Sequence, residues 1–378
     1  MKNIAIIGAS YLQLPLIRKA KELGYKTHVF AWKTGDIGEK EADMFYPVSI
    51  VEKEKILEIC KTIGIDGICS IASDLAIITV NYVAQNMGLI SNSLDCTSKS
   101  TNKHLMRKCF ELNNDPSPKS LEVDSSDNIS LEGFKYPLIV KPTDRSGSRG
   151  ICKILNESEL KSAINKAIEE SFEKKALIEE FAEGQEYSIE CISFKGVHNF
   201  LSMTKKYTTG SPHFIETGHL EPAPVKNEVL DKVIKTTFHA LDSLGIEYGA
   251  SHTEIKIDDN GVIKIIEIGG RMGGDFIGSD LVHISTGFDF VKAVIDVAVG
   301  TKPKSFTTHN HNNACVKFVF STEDLEKFRT AVADTRVKVM DSSIDYETMG
   351  NEITDSSNRH GFFILSSDDG DLLESYLI

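Results

Sequence analysis

The stretch YPLIVKPTDRSGSRGI, residues 136–151, ends an apolar strand on a lysine, where turn residues would be usual. Lys141 is followed by Thr143, Arg145, Ser146, Gly147, Ser148, Arg149 and Gly150. Hydroxyls, glycine backbone and guanidinium groups on one loop suit an anion, with phosphate as the first candidate. The loop is not a P-loop, because GxxxxGK[ST] occurs nowhere in the chain.

A second arrangement lies in ASHTEIKIDDNGVIKIIEIGGRMGG, residues 250–274. Asn260-Gly261 between two β-rich runs predicts a hairpin with a two-residue type I′ turn. Asp259 then faces Val262, and counting outward puts Glu254 opposite Glu267 on one face. Directly opposed residues have Cβ atoms about 4.5 to 5.5 Å apart, where like charges repel. The compensation is a shared proton, a divalent cation completed by phosphate oxygens, or an exposed face on which Lys256 and Lys264 soften the repulsion. Arg271 follows among Gly269, Gly270, Gly273 and Gly274. It is either a plain loop arginine or a two-pronged donor to a carboxylate or phosphate, approached closely by glycine backbone.

The elements that carry these residues fall into distinct patterns. IAIIG, KTHVFAW and IDGICSIA read as buried strands alternating with helical segments such as DLAIITVNYVAQNMG, so residues 1–95 are expected to form a parallel sheet with flanking helices. Gly8 alone does not make a dinucleotide fingerprint, since Ser10 and Gln13 stand where GxGxxG needs glycines. STNKHLMRKCFELN reads as a helix with a Ser/Thr cap. From about 136 to 270 strands dominate, with one helix near ESELKSAINKAIEE, which indicates a separate α+β module. A helix at FDFVKAVIDVAVG follows, and residues from about 305 read as a small mixed tail without obvious chemistry.

The bulk numbers agree with a soluble multi-module protein: 378 residues, 41% hydrophobic and 26% charged. A net charge of -13 argues against broad contact with nucleic acid or an anionic membrane. The seven cysteines are scattered and never form CxxC, so reduced thiols are expected rather than disulfides or zinc. MKNIAIIGAS holds only a short apolar run, and no run approaches a membrane span, so a cytoplasmic location is expected.

Taken in order, Lys103 on a helix, IVKPTDRSGSRGI, LIEEFAEGQEYSIE and TEIKIDDNGVIKIIEIGGRMGG resemble the ATP-grasp superfamily, in which two α+β lobes clamp ATP. The resemblance implies an α/β plus α+β chain: an N-terminal Rossmann-like domain over 1–95, an ATP-grasp domain over 96–304 with a lid lobe at about 117–190, and a small α+β segment over 305–378 that completes the large lobe. It assigns Lys103 and Lys141 to the phosphates and the loop with Ser146, Gly147 and Ser148 to a lid. Glu179, Glu180 and Phe181 fall to the adenine hinge, and Glu186 to the ribose. Glu254 and Glu267 match the ligands of Mg2+, for which Mn2+ can stand in. Arg271 matches the arginine that stabilises the acyl-phosphate and tetrahedral intermediate. Many members read E-x-N where this chain has Gly269, which leaves the ligands of a second magnesium open. KKYTTGSPHFIETGHLEPAPV, residues 205–225, is similar to bacterial L-amino-acid ligases, in which the glutamate and histidine of E-x-x-H lie near the substrates; here they are Glu216 and His219. The flanking Gly218 and Pro222 suggest that this motif lies on a loop.

The activity implied is ATP-dependent joining of a small carboxylate, such as an amino acid, to an amine through an acyl-phosphate, releasing ADP and phosphate. Related enzymes are often dimers, so a homodimer is compatible. Rival readings are bicarbonate or formate activation in nucleotide metabolism, non-catalytic nucleotide binding, and a dehydrogenase, the last opposed by the missing glycines.

Overall fold

The computed structural model describes residues 2–145, 149–211, 214–304 and 312–378. Among these residues, sixteen strands form three sheets. The first is parallel, in the order β3-β2-β1-β4, with β1 Asn3–Ile7, β2 Lys26–Ala31, β3 Met44–Pro47 and β4 Gly67–Cys69. β1 is a continuous apolar run because both its faces are buried. Ile4 and Ile6 pack with Leu16 and Ile17, whereas Ala5 and Ile7 pack with Phe30, Ile56 and Val80.

The second sheet is antiparallel, in the order β5-β8-β6-β7, from β5 Ser120–Val123, β6 Leu138–Pro142, β7 Cys152–Ile154 and β8 Ala176–Glu180. The helix Leu160–Glu170 covers it through Leu160, Ala163, Ile164 and Ala167, an i, i+3, i+4, i+7 stripe.

The third sheet has eight strands: β9 Gln185–Phe194, β10 Val197–Thr208, β11 Glu216–Glu221, β12 Tyr248–Ile257, β13 Ile263–Gly269, β14 Asn313–Phe318, β15 Lys338–Ile344 and β16 Gly361–Ser367. Its order is β13-β12-β9-β10-β11-β14-β16-β15, so strands from before and after residue 305 share one sheet. Ile189, Cys191, Met203 and Ile255 turn to one face, where they meet Val233, Ala240 and Leu241 of the helix Asn227–Leu244. That helix of 18 residues corrects the expectation of a single helix in this region. On the opposite face, Ile192, Leu201 and Ala250 pack with Phe290 and Val294 of the helix Phe290–Ala298 and with Ile4 and Ile6 of β1, and Ala314, Val316 and Ile364 form a second apolar cluster with Ile277 and Leu281. The first of these seats the parallel sheet against the eight-stranded one. Between these two apolar regions the same face carries charge.

Two further expectations are corrected. STNKHLMRKCFELN breaks at Asn102, whose side chain, rather than a serine or threonine, accepts from His104 N and Leu105 N to cap the helix Lys103–Asn113. The hairpin turn is not type I′. Gly261 takes φ 74° while Asn260 does not enter the positive region, and Gly261 N donates to Asp258 O at 2.9 Å. The loop therefore has three residues, Asp259 to Gly261, with Ile257 paired to Ile263. All seven cysteines are unbridged. Among the described residues, no helix is long and apolar enough to cross a membrane.

Candidate active site

Strand alternation gathers the charged groups. Glu186 and Glu190 of β9, Lys206 of β10, and His252 and Glu254 of β12 point to one face, because Glu190 pairs with His252 and Lys205 with Tyr187. Glu267 of β13 joins them opposite Glu254. Between Ile255–Ile265 and Glu254–Glu267 the register shifts, leaving Ile266 bulged. Without that extra residue, Ile266 would stand opposite Glu254.

Both facing carboxylates already hold a lysine. Lys103 Nζ donates to Glu267 Oε1 at 2.8 Å and to Arg145 O at 2.8 Å. Lys206 Nζ lies 2.6 Å from Glu254, 2.9 Å from Glu186 and 3.8 Å from Glu216. Burial alone would push the Lys206 ammonium down, but Glu254, Glu186 and Glu216 hold its pKa well above the usual lysine value. Burial likewise opposes ionisation of Glu254, yet Lys206 and His252 keep that carboxyl well below the usual range. His252 Nδ1 contacts Glu190 closely, and its Nε2 lies 3.4 Å from Glu254. Burial works against the imidazolium, but Glu190 outweighs it and lifts the His252 pKa to about 9.

Lys141 is buried, with Nζ 2.6 Å from Glu179 Oε2, and Glu179 Oε1 lies 2.6 Å from Arg107 Nε. The carboxylate of Glu179 is thus engaged by two cations, while Glu180 accepts from Lys135 N at 3.2 Å. The Phe181 ring is flanked by Lys153 Nζ at 3.6 Å and Lys256 Nζ at 4.7 Å from its centroid.

Arg271 is gripped from a helix of the N-terminal module. Its Nε and Nη2 donate to Asp74 Oδ1 and Oδ2, each at 2.8 Å. Asp74 opens the helix Asp74–Met87, which Ser73 caps by accepting from Ala76 N. This pair explains the absence of the asparagine of E-x-N. A Cβ at Gly269 would lie 2.7 Å from Asp74 Oδ1 and 3.1 Å from Arg271 Nε, so any side chain there collides with the ion pair. Gly273 is similarly confined, donating its N–H to Glu190 Oε2 at 3.0 Å.

Lys103, Lys141, Glu179, Glu180, Phe181, Glu186, Glu216, Glu254, Glu267 and Arg271 line one cleft of about 1070 Å3, its open mouth included. Ser146, Gly147 and Ser148 fall outside the described residues. His219 lines an adjoining cavity of about 1280 Å3, also open, in which Glu216, Lys206, Glu254 and Arg271 recur. E-x-x-H therefore lies on β11, not on a loop. The register against β10 shifts between Thr208–Glu216 and Tyr207–Gly218, and this bulge turns Glu216 and His219 to the same face. Glu216 accepts from Ser356 Oγ at 2.9 Å, and burial raises its pKa, partly offset by Lys206. Neither ring nitrogen of His219 has a hydrogen-bond partner among the described residues, and burial pushes its pKa down to about 3.

The tail beyond 305 does bring chemistry. Arg359 clamps Asp275 through Nη2–Oδ1 at 2.8 Å and Nη1–Oδ2 at 3.0 Å, and stacks 3.6 Å from the centroid of Phe318. The clamp holds Asp275 and Phe276, both in the left-handed region at φ 49° and 66°. Asp74, Arg107, Glu190, Lys206, His252, Asp275 and Arg359 were not singled out from the sequence. Lys206 carried a signal, as an inward position on a strand.

The donor set suits a metal held jointly with a ligand. Among the described residues, no group of three or more His, Cys, Asp or Glu forms a cage, whereas two facing carboxylates beside lysines match magnesium bound together with phosphate oxygens.

The family described as "ATP-grasp domain" matches residues 134–280. Alanine–anticapsin ligase of Bacillus subtilis is 25% identical over 307 residues, covering 72% of this chain and 64% of that protein, so the match spans under two thirds of the relative's length. The solved L-amino acid ligase from Bacillus licheniformis has a TM-score of 0.83 at 23% identity, covering 100% of this chain and 96% of the other. Phosphoribosylglycinamide synthetase from Anaerococcus prevotii has a TM-score of 0.78 at 21% identity, again covering 100% and 96%. At these identities the structural likeness concerns the fold. The segment that the ATP-grasp domain family matches, residues 134–280, carries Lys141, Glu180, Phe181, both facing carboxylates and Arg271.

Proposed function

We propose that this chain is an ATP-dependent carboxylate–amine ligase that forms an amide bond, with amino acids or related small carboxylates as substrates. The observation that carries this reading is the wall shared by two cavities: Lys206, Glu216, Glu254, His252, Asp74 and Arg271 line both. Groups placed there can act on the terminal phosphate in one cavity and on a second substrate in the other.

In this reading the hinge at Glu180 and Phe181 receives the adenine, Glu186 the ribose, and Lys103 and Lys141 the phosphates. Glu254 and Glu267 would hold magnesium together with phosphate oxygens, and the ion would supply neutralisation of the phosphoryl charge. A substrate carboxylate oxygen bonds to the γ-phosphorus as the bond to ADP breaks, giving an acyl-phosphate. The incoming ammonium group gives up a proton to solvent, its nitrogen then bonds to the acyl carbon, and phosphate leaves with the electron pair of the C–O bond as the nitrogen sheds a second proton. Arg271, held rigid by Asp74, stabilises the oxyanion formed in that step. Glu216 holds the incoming ammonium group. Near-complete burial keeps His219 neutral, so it acts as a hydrogen-bonding group rather than a cation.

The test is phosphate release from Mg-ATP with single and paired amino acids, with mass spectrometry of any mixture that responds. Release requiring two amino acids, with a product mass equal to their condensation, supports the proposal. Silence with every amino acid while ATP still binds overturns the amino-acid assignment and directs the search to other carboxylates, bicarbonate and formate included.

A further inference from the structure

The helix Lys103–Asn113 presents Lys103 and Arg107 one turn apart, on the side packed under β13. Arg107 is only 2% exposed. Its Nη2 donates to Ile266 O at 2.6 Å, and its Nε lies 2.6 Å from Glu179 Oε1. Ile266 is the bulged residue that brings Glu267 opposite Glu254, and Glu179 is the carboxylate that holds Lys141. One buried guanidinium therefore touches both the kink that aims a proposed metal ligand and the anion that fixes a proposed phosphate lysine.

Charge makes this more than a brace. Lys141 and Glu179 alone sum to zero, and an anion entering the cleft would meet a neutralised lysine. With Arg107 the triad carries one net positive charge. Burial drags the Lys141 ammonium below the usual lysine value, while Glu179 pulls it the other way. Burial would raise Glu179, but Arg107 and Lys141 hold that carboxyl below its usual range.

We propose that Arg107 is a positioning residue coupling the two halves of the cleft: its charge leaves Lys141 available to the triphosphate, and its fork holds the Ile266 kink that sets Glu267. The inference rests on reading the cleft as a site for ATP and a divalent ion. The two roles separate by substitution, because lysine keeps the charge and loses the fork, whereas methionine loses both.

The experiment uses the full chain and two variants, Arg107→Lys and Arg107→Met, with fold checked by near-ultraviolet circular dichroism. Affinity for a fluorescent ADP is measured without metal, and Mn2+ affinity by electron paramagnetic resonance in the presence of ADP. Arg107→Lys is expected to bind ADP within about threefold of the parent but to lose about tenfold in Mn2+ affinity, with kcat falling and the KM for ATP nearly unchanged. Arg107→Met is expected to lose about tenfold or more in metal-free ADP affinity. Should Arg107→Met not fold, the split in Arg107→Lys decides alone. Parental affinities in Arg107→Lys for both ligands, or equal losses of both, overturn the proposal. A parent chain that binds no ADP overturns the ATP reading itself, a distinct result.

Discussion

Glu254 faces Glu267 because two departures from regular pairing cancel. The three-residue loop at Asp259 to Gly261 displaces the register by one, and the Ile266 bulge displaces it back. The alignment of the two carboxylates is therefore built into the strands, and a ligand need not create it.

Replacing either carboxylate tests the proposed metal role. Glu267→Gln and Glu254→Gln keep side-chain volume, and both residues are half-buried. Each is expected to remain folded while magnesium-dependent phosphate release falls about 100-fold or more. Steady-state assays over a magnesium series check this, and parental turnover in either variant removes that carboxylate from the site.

Gly269→Asn restores the residue common in E-x-N and is expected to harm this chain. The added Cβ meets Asp74 Oδ1 at 2.7 Å and so parts Asp74 from Arg271. Turnover should drop at least about tenfold, and stability by about 1 to 3 kcal/mol. Enzyme assays and urea denaturation read the two effects; an unchanged kcat would mean that the ion pair does not hold Arg271 in its working position.

Glu221 ties stability to pH. It is fully buried and accepts from Thr204 Oγ1 and Ser285 Oγ, yet burial prevails over these bonds and raises its pKa to about 7. The folded chain keeps a proton there that the unfolded chain releases above about pH 4.5. The contribution to stability is thus complete below that pH and is lost as pH rises through about 7. Glu221→Gln, which removes an ionisation cost on the order of 3 kcal/mol, is expected to melt higher than the parent at pH 8 and to flatten this dependence. Parallel melting curves at pH 5 and 8 check the sign.

His219 gives the opposite slope. With its folded pKa pushed down to about 3, the unfolded chain takes up a proton below about pH 6.5 that the folded chain refuses. Stability from this residue is present above that range and declines as pH falls. In the proposed reaction His219→Asn should reduce turnover without moving the pH profile between about pH 5.5 and 8. Loss of a titrating limb in the variant would show instead that His219 ionises during turnover.

What was legible in the sequence was what local pattern controls. β1 showed as a strand because both its faces are buried, and the facing carboxylates showed because strand period carries a hairpin register outward. The pairing came out right although the turn was wrong. Asp258 Oδ1 accepts from Asn260 N and Val262 N at 2.9 and 2.8 Å and shapes a longer loop, a side-chain effect that Asn-Gly does not reveal. The compensating bulge is held by Arg107, 159 residues away. Asp74 is 197 residues from Arg271, and Arg359 is 84 from Asp275; no period or spacing connects such pairs. The loop expected for E-x-x-H rested on Gly218 and Pro222, but Gly218 pairs with Tyr207 inside β11 and Pro222 stands just past the end of the strand. The helix Asn227–Leu244 was readable from Val233, Thr237, Ala240, Leu241 and Leu244, but the strand-rich surroundings obscured it.

The sheet order also sets a sequence of events during synthesis. β11 lies between β10 and β14, so the strand bearing Glu216 and His219 has one bare edge until Asn313–Phe318 has left the ribosome. Every charged group named for the proposed nucleotide cleft is translated by Arg271, whereas the neighbouring cavity waits for Arg359. A nascent chain thus acquires the groups of the proposed nucleotide site before the proposed site for a second substrate is complete, and the strand that carries Glu216 and His219 needs shelter while the rest is made.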